Sequence, residues 1–360
     1  MSLAVLHAKV KRELTMRHPF FSPALILIGL LIGLLTAQLS HGYELGQGWQ
    51  SGNYALSGYT NLEVIDHFGA PAKLDLDDLS VFASGKVNQW FNPFAEIELS
   101  KHTLAQQGGG TNNGDVIVER FYNDVVFSGQ DSLRLGKFLA PLGVWNVTHA
   151  APLAPVISRP YTTARGFSAY IGGVSWRHNS GDEKMPDWQV YWQPDNELFK
   201  QPNTQAPRNF HNVVGGQVSK SFGVKDKMGV SFQHGTLIER DETYILFGLN
   251  ANHSFGKLTL QAEALSANFS GTQTKAHDTE SGIYVLADYA LAPQWHSVVG
   301  AEYYQDHTVT ASSRSTLLAV NYKQRDLPLV WKLEYIHQAG VPSPLATFRT
   351  GLKAALTFMF

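Results

Sequence analysis

"LVWKLEY" (329–335) sets Leu329, Trp331, Leu333 and Tyr335 on one side of an extended chain, and Lys332 and Glu334 on the other. Successive side chains of a strand point to opposite faces, so the stretch predicts a ribbon with one oily and one charged face. "KLTLQAEAL" (257–265) repeats the pattern, with Leu258, Leu260, Ala262 and Ala264 opposite Thr259, Gln261 and Glu263. "LSVFASGKV" (79–87) sets Leu79, Val81, Ala83, Gly85 and Val87 against Ser80, Ser84 and Lys86. In "GLKAALTFMF" (351–360) the apolar row runs through Leu352, Ala354, Leu356 and Phe358 to Phe360. About sixteen such segments recur, from 53–66, 78–88, 91–101 and 115–127 through to 347–360. The segment at 115–127 has no clear face, because Glu119 charges one parity and Arg120 the other.

The connections sort by length. Tight ones, "SGQD" (128–131), "GVKD" (223–226), "SFGK" (254–257), "LAPQ" (291–294) and "QRDLP" (324–328), alternate with long polar ones at 104–114, 193–209 and 267–281. Short turns at one end and long loops at the other mark a transmembrane antiparallel β-barrel, all-β, with short periplasmic turns and long extracellular loops. A soluble β-sandwich would alternate too, but has no reason to segregate its loops. Trp176, Trp188, Trp192, Trp295, Tyr303 and Tyr335 fall on the apolar parity, where a barrel places its interfacial girdles. The last strand is expected to close on the first, since an open edge in lipid leaves backbone groups unpaired.

Composition agrees. The 360 residues hold 20 Phe, 14 Tyr, 8 Trp and 32 Gly but no Cys, which excludes disulfides and thiolate–metal sites. Residues 1–42 read as a signal peptide: Lys9, Lys11, Arg12 and Arg17 precede the apolar "ALILIGLLIGLL" (24–35), with cuts placed after Ala37 or Gly42. A retained membrane helix is the alternative, and Met16 is a second candidate start. Residues 43–52 form a short periplasmic lead-in and 53–360 the barrel, exported to the outer membrane of a Gram-negative cell. Removing four basic residues and Glu13 leaves 24 basic and 29 acidic ones, a balance with no footprint for nucleic acid. The expected partners are outer-membrane lipids and small hydrophilic solutes; no cofactor or metal is called for.

A ring of sixteen strands encloses an aqueous lumen. Its lining is read from the polar parity: Lys86, Glu96, Glu98, Arg134, Arg177, Glu263, Asp288, Glu302, Lys332, Glu334, Arg349 and Lys353 among the charges. The longest loop, "LAPLGVWNVTHAAPLAPVISRPYTTARG" (139–166), carries Pro141, Pro152, Pro155 and Pro160 beside Leu142, Val144, Trp145, Leu153, Val156 and Ile157. So many apolar groups need a surface to pack on, and four prolines limit the loop's freedom. It is expected to dip into the barrel and narrow the pore; the alternative is a cover over the mouth or an oligomer contact. His149, Arg159 and Arg165 are its basic groups. Glu263, Asp288 and Glu302 should lie across the ring from it, creating a transverse field that biases ion passage by a sign left open.

Over 134–160, "RLGKFLAPLGVWN…H…PLAPVISRP" resembles bacterial porins related to the phosphate-selective porins. The matching positions are Gly136, Lys137, Phe138, Pro141, Gly143, Trp145, Asn146, His149, Ser158, Arg159 and Pro160. The resemblance implies a sixteen-stranded porin whose third loop constricts the pore, with a homotrimer as one assembly. It does not imply phosphate selectivity, since the predicted lining has six basic and six acidic residues. Phe358 and Phe360 also resemble the C-terminal signature of outer-membrane proteins, which implies recognition by the barrel-assembly machinery. A non-enzymatic diffusion channel is therefore expected. The competing readings are a barrel lipase or protease drawing on His149, Ser158, His211, His277 or His307, none of which has a nucleophile motif, and a non-conducting structural barrel.

Overall fold

The computed structural model describes residues 43–44, 46–148, 150–164, 167–182, 184–200, 208–223, 226–340 and 350–360. Two units, Met1–Glu44 and Leu45–Phe360, are distinguished. In the first, only the two-residue strand Tyr43–Glu44 is described, so the signal-peptide reading of 1–42 lies outside the described residues. The second unit is the barrel.

Sixteen strands make its wall: β1 (Tyr54–His67), β2 (Lys73–Gly85), β3 (Pro93–Gln106), β4 (Asn113–Val126), β5 (Asp131–Leu139), β6 (Tyr170–His178), β7 (Asp187–Gln193) and β8 (Phe210–Ser221). The second half comprises β9 (Lys227–Leu237), β10 (Glu242–Phe255), β11 (Leu258–Ser270), β12 (Thr279–Ala290), β13 (Trp295–Gln305), β14 (Ser313–Lys323), β15 (Leu329–Ala339) and β16 (Gly351–Met359). Each pairs antiparallel with its sequence neighbours, and β16 closes on β1 from Gly351↔His67 to Met359↔Tyr59. Phe360 extends the seam by exchanging backbone bonds with Gly58 at 2.8 and 3.0 Å. A short extra strand, Gly48–Ser51, pairs with the start of β1. No described helix is long and apolar enough to cross a membrane. The architecture is a closed antiparallel barrel of the outer-membrane kind.

The two faces are as different as the sequence requires. In β15, Trp331 and Leu333 are 50% and 56% exposed, while Lys332 and Glu334 between them are 4% and 0% exposed. Bare apolar groups outside and covered charges inside suit lipid on one face and a filled interior on the other. Trp176, Trp192, Trp295, Tyr303 and Tyr335 are exposed on the outer surface; Trp188 is half-buried.

Connections 127–130, 222–226, 256–257, 291–294 and 324–328 share one rim, and 140–169, 194–209 and 340–350 the other. The segregation has departures: 179–186 is long for its rim and 238–241 short for the opposite one.

Strand bounds shift most in β2 and β3, expected at 78–88 and 91–101. Both reach further toward the long-loop rim. Pairing slips between Asn61 and Leu62 and again between Leu74 and Asp75, and these bulges interrupt the alternation of "LDLDD". A third bulge resolves the ambiguity at 115–127. Glu96 pairs with Arg120 and Ile97 with Val118, leaving Glu119 as the extra residue. Val116 and Phe121 face outward at 62% and 55% exposure, and Glu119 and Arg120 both serve the interior.

Candidate functional site: a loop folded across the lumen

Between β5 and β6 the chain leaves the wall for residues 140–169. Local chemistry shapes the departure. Leu142 N–H bonds Ala140 C=O at 2.8 Å, and Gly143 takes a φ of +67°. Asn146 Nδ2 donates to the carbonyls of Ala140 (2.8 Å) and Ala169 (3.0 Å), tying the two ends of the loop together. Arg159 Nη2 donates to Asn146 Oδ1 (2.9 Å) and Thr163 C=O (2.6 Å), fastening the far limb to the near one. A single helical turn, α1 (Tyr161–Ala164), follows Pro160 and starts the return.

The loop's apolar groups pack against the inner face of the barrel. Leu142 and Phe167 join Phe138, Ile171, Tyr191 and Tyr244. Trp145, Ala154 and Val156 join Tyr284, Leu286, Val298 and Ala319, so β12–β14 turn apolar inward where the loop lies on them. Its backbone is held by wall side chains. Glu263 (β11) accepts from Trp145 N–H at 2.7 Å, and Glu302 (β13) from Thr162 N–H at 2.8 Å and its hydroxyl at 2.9 Å. Glu334 (β15) accepts from Ile157 and Ser158 N–H at 2.8 and 3.2 Å. Lys332 Nζ donates to Ala151 and Ala154 C=O, both at 2.6 Å, and Asn321 Nδ2 to Pro155 C=O at 2.7 Å. Hydrogen bonds to charged groups contribute roughly 1.5–3 kcal/mol each, which suits a loop held in place rather than one that swings.

Close approach accompanies the anchoring. A Cβ on Gly143 would lie 1.6 Å from Glu263 Oε2, and one on Gly282 of β12 would lie 2.5 Å from Thr162 Oγ1. The loop therefore crosses the lumen and rests on the far wall, where β11–β15 hold its backbone, and β16 and β1–β4 bound the remaining side.

This geometry corrects the expected transverse field. Glu263 and Glu302 do not face the loop across a gap; they lie beneath it and are used up by its N–H groups. Arg159 is spent inside the loop. His149, Arg165 and Arg349 lie outside the described residues. Lys86 is not a lining residue: β2 ends at Gly85 and Lys86 is exposed in the following turn on the short-turn rim. Glu96 and Glu98 point inward but are buried, Glu96 paired with Arg120 and Glu98 accepting from Ser80 Oγ at 2.9 Å. Arg134 and Arg177 share Asp124, Asp288 meets His296 Nδ1 at 2.8 Å, and half-buried Lys353 stands opposite Glu334 in the β15–β16 pair. Phe358 and Phe360 stack at 6.2 Å.

Of a buried hub on the long-loop rim, only His307 is among the residues singled out from sequence, as a candidate of the enzyme reading. His307 places Nδ1 2.8 Å from Glu280 and Nε2 3.0 Å from Glu242, an arrangement in which both nitrogens donate only as imidazolium. Its ring stacks on Phe269 at 3.9 Å. Arg208 forks onto Glu280 with two bonds of 2.8 Å and reaches Asp306 at 3.0 Å. Burial opposes the charge of Arg208, yet the Glu280 carboxylate beside it, with Tyr304 and Asp306, carries its pKa above the usual value. Glu280, Asp306 and His307 stand close enough for a metal ion, as do Glu96, Glu98 and Glu119. In the first set Glu280 and Asp306 are already bonded to Arg208, and in the second Glu96 pairs with Arg120 and Glu119 accepts from Tyr170 at 2.6 Å. The hub's members come from two connections (Arg208; Asp306 and His307) and two strand ends (Glu242, Glu280), so no single stretch of sequence announces it.

No protein-family model matches the chain. A curated protein of Aquifex aeolicus (strain VF5), itself uncharacterized, is 33% identical over 155 residues, which cover 41% of this chain and 33% of that relative. The chain thus matches about a third of the length of that relative. Among solved structures, OmpF of Salmonella typhi in complex with daunomycin shares the fold at a TM-score of 0.63 and 14% identity, over 86% of this chain and 98% of that one. OmpT, an outer membrane protein of Vibrio cholerae, in its trimer form gives 0.61 and 12% over 86% and 100%. The anion-selective porin of Comamonas acidovorans gives 0.59 and 10% over 85% and 99%. At these identities the likeness establishes a porin-like outer-membrane barrel fold.

Proposed function

We propose that this protein is an outer-membrane porin, a passive diffusion channel for small hydrophilic solutes and ions, narrowed by the loop at 139–166 and without enzymatic activity. One observation carries the reading: a loop anchored on Glu263, Glu302 and Glu334 occupies one side of the lumen, and the partly exposed Arg120, Arg134 and Arg177 stand on the wall away from those anchors. A structural barrel needs no such division. Export through a signal peptide at 1–42 and recognition of Phe358 and Phe360 by the barrel-assembly machinery belong to the same proposal. Kinship with the phosphate-selective porins rests on residues 134–160, and assembly as a homotrimer draws support from the trimer form of the Vibrio protein.

Reconstitution into planar bilayers is the direct test. Stepwise ohmic currents in potassium chloride are expected. Persistent silence from inserted protein would mean a structural barrel, and turnover of phospholipid or peptide by pure protein would mean an enzyme. Mass measurement in detergent separates trimer from monomer.

A further inference from the structure

The uncovered wall carries an arrangement of its own. Tyr59, Phe82, Phe94 and Tyr122, on β1 to β4, form a continuous inward run of rings with centroid spacings of 5.7, 6.1 and 5.1 Å. Phe94 and Tyr122 are nearly parallel, at 12°. The Arg120 guanidinium lies 4.6 Å from the Phe94 centroid and that of Arg134 3.6 Å from Tyr122. Arg177 of β6 stands beside Arg134, and both bind the one carboxylate of Asp124 at 2.8–2.9 Å. Two cations therefore share one anion at this end of the lane; Arg177 Nε is buried and without a hydrogen-bond partner among the described residues, so its exposed surface lies elsewhere on the side chain. The side chains of Arg120, Arg134 and Arg177 are 24%, 16% and 23% exposed, so each is reachable from the lumen. At the other end, beyond Arg120, Glu96, Glu98 and Glu119 crowd together.

We propose that this lane, Phe82, Phe94 and Tyr122 with Arg120, Arg134 and Arg177, is a binding track for aromatic monocarboxylates. The inference deepens the diffusion-channel reading and rests on it. A carboxylate fits the Nη1 donors of Arg177 and Arg134, since Asp124 takes the Nε–Nη2 edge of Arg134 and, with Ser132, the Nη2 of Arg177. A flat unsaturated body stacks along guanidinium planes already laid on rings, and such a body loses little freedom when held. The acids past Arg120 repel a second negative group, which selects one carboxylate over two.

Ligand-observed NMR on the detergent-solubilised full chain tests the track with benzoate, acetate, benzylammonium and terephthalate. Benzoate should saturate, with each of the other three weaker by about fivefold or more. Phe94→Leu, which keeps the apolar volume, and Arg177→Gln should each weaken benzoate by roughly threefold to tenfold. Equal binding of benzoate and acetate, or benzoate binding unchanged in a folded Phe94→Leu protein, would overturn the proposal. Should Arg177→Gln fail to fold, the Phe94→Leu result decides alone. Bilayer currents are read separately: a silent barrel that still binds benzoate refutes diffusion and keeps the track, and a conducting barrel that does not bind it refutes the track alone.

Discussion

At the scale of single residues, Gly143 and Arg159 set the shape of the loop folded into the lumen. Gly143 meets two demands that no other residue meets together: a positive φ and a backbone that touches Glu263. Gly143→Ala should cost about 1–3 kcal/mol and push the near limb off the wall. Urea unfolding of vesicle-inserted protein would read the loss, and a changed single-channel conductance the displacement. Arg159 makes a different point. A guanidinium in a constriction loop is expected to act on passing ions, but its donors are directed at Asn146 and Thr163. Arg159→Ala should therefore raise open-channel current noise, because the far limb loosens, with little shift in reversal potential. A large shift with quiet current would restore the charge to the pore.

Between elements, the decisive contacts join loops to strands. Arg208 is 8% exposed and is clasped by Glu280 and Asp306, which are 0% and 1% exposed. Arg208→Ala leaves both carboxylates buried without that cation, a loss of about 3–5 kcal/mol when a buried pair is broken from one side. Faster proteolysis at 238–241, 271–278 and 306–312 is expected, with the wall strands still protected; uniform cleavage kinetics would show that the hub does not hold the rim. The folding-in of the loop was legible from its prolines and apolar groups, because composition alone says that such a segment must pack. Its seat was not. Leu286, Val298 and Ala319 look like ordinary strand residues, and only the run of apolar groups on both parities hints that β12–β14 are covered on two faces. Glu263, Glu302 and Glu334 were legible as inward-facing, but sequence cannot tell a carboxylate facing water from one facing a backbone N–H.

For the molecule as a whole, the period-two pattern determined the strand count, the closure of β16 on β1 and the division of faces. It faltered where β-bulges add a residue, since one insertion reverses every later side chain and a sequence of charges such as Glu119-Arg120 does not say which strand absorbs it. The same division of faces yields the sharpest global test. Leu333 is mid-strand on β15 and 56% exposed on the outer surface; Thr259 on β11 faces inward opposite Asp288. Leu333→Arg must place a guanidinium in hydrocarbon at a cost of roughly 2–4 kcal/mol near mid-depth, falling toward the interfaces. Thr259→Arg puts the same group in the lumen beside a carboxylate, where it stays hydrated and paired. The first variant should refold poorly into vesicles and unfold at lower urea, while the second should match the parent. Equal refolding of the two would mean that the exposed apolar belt does not meet lipid, because only a hydrocarbon exterior makes one arginine costly and the other harmless on the same ring of strands.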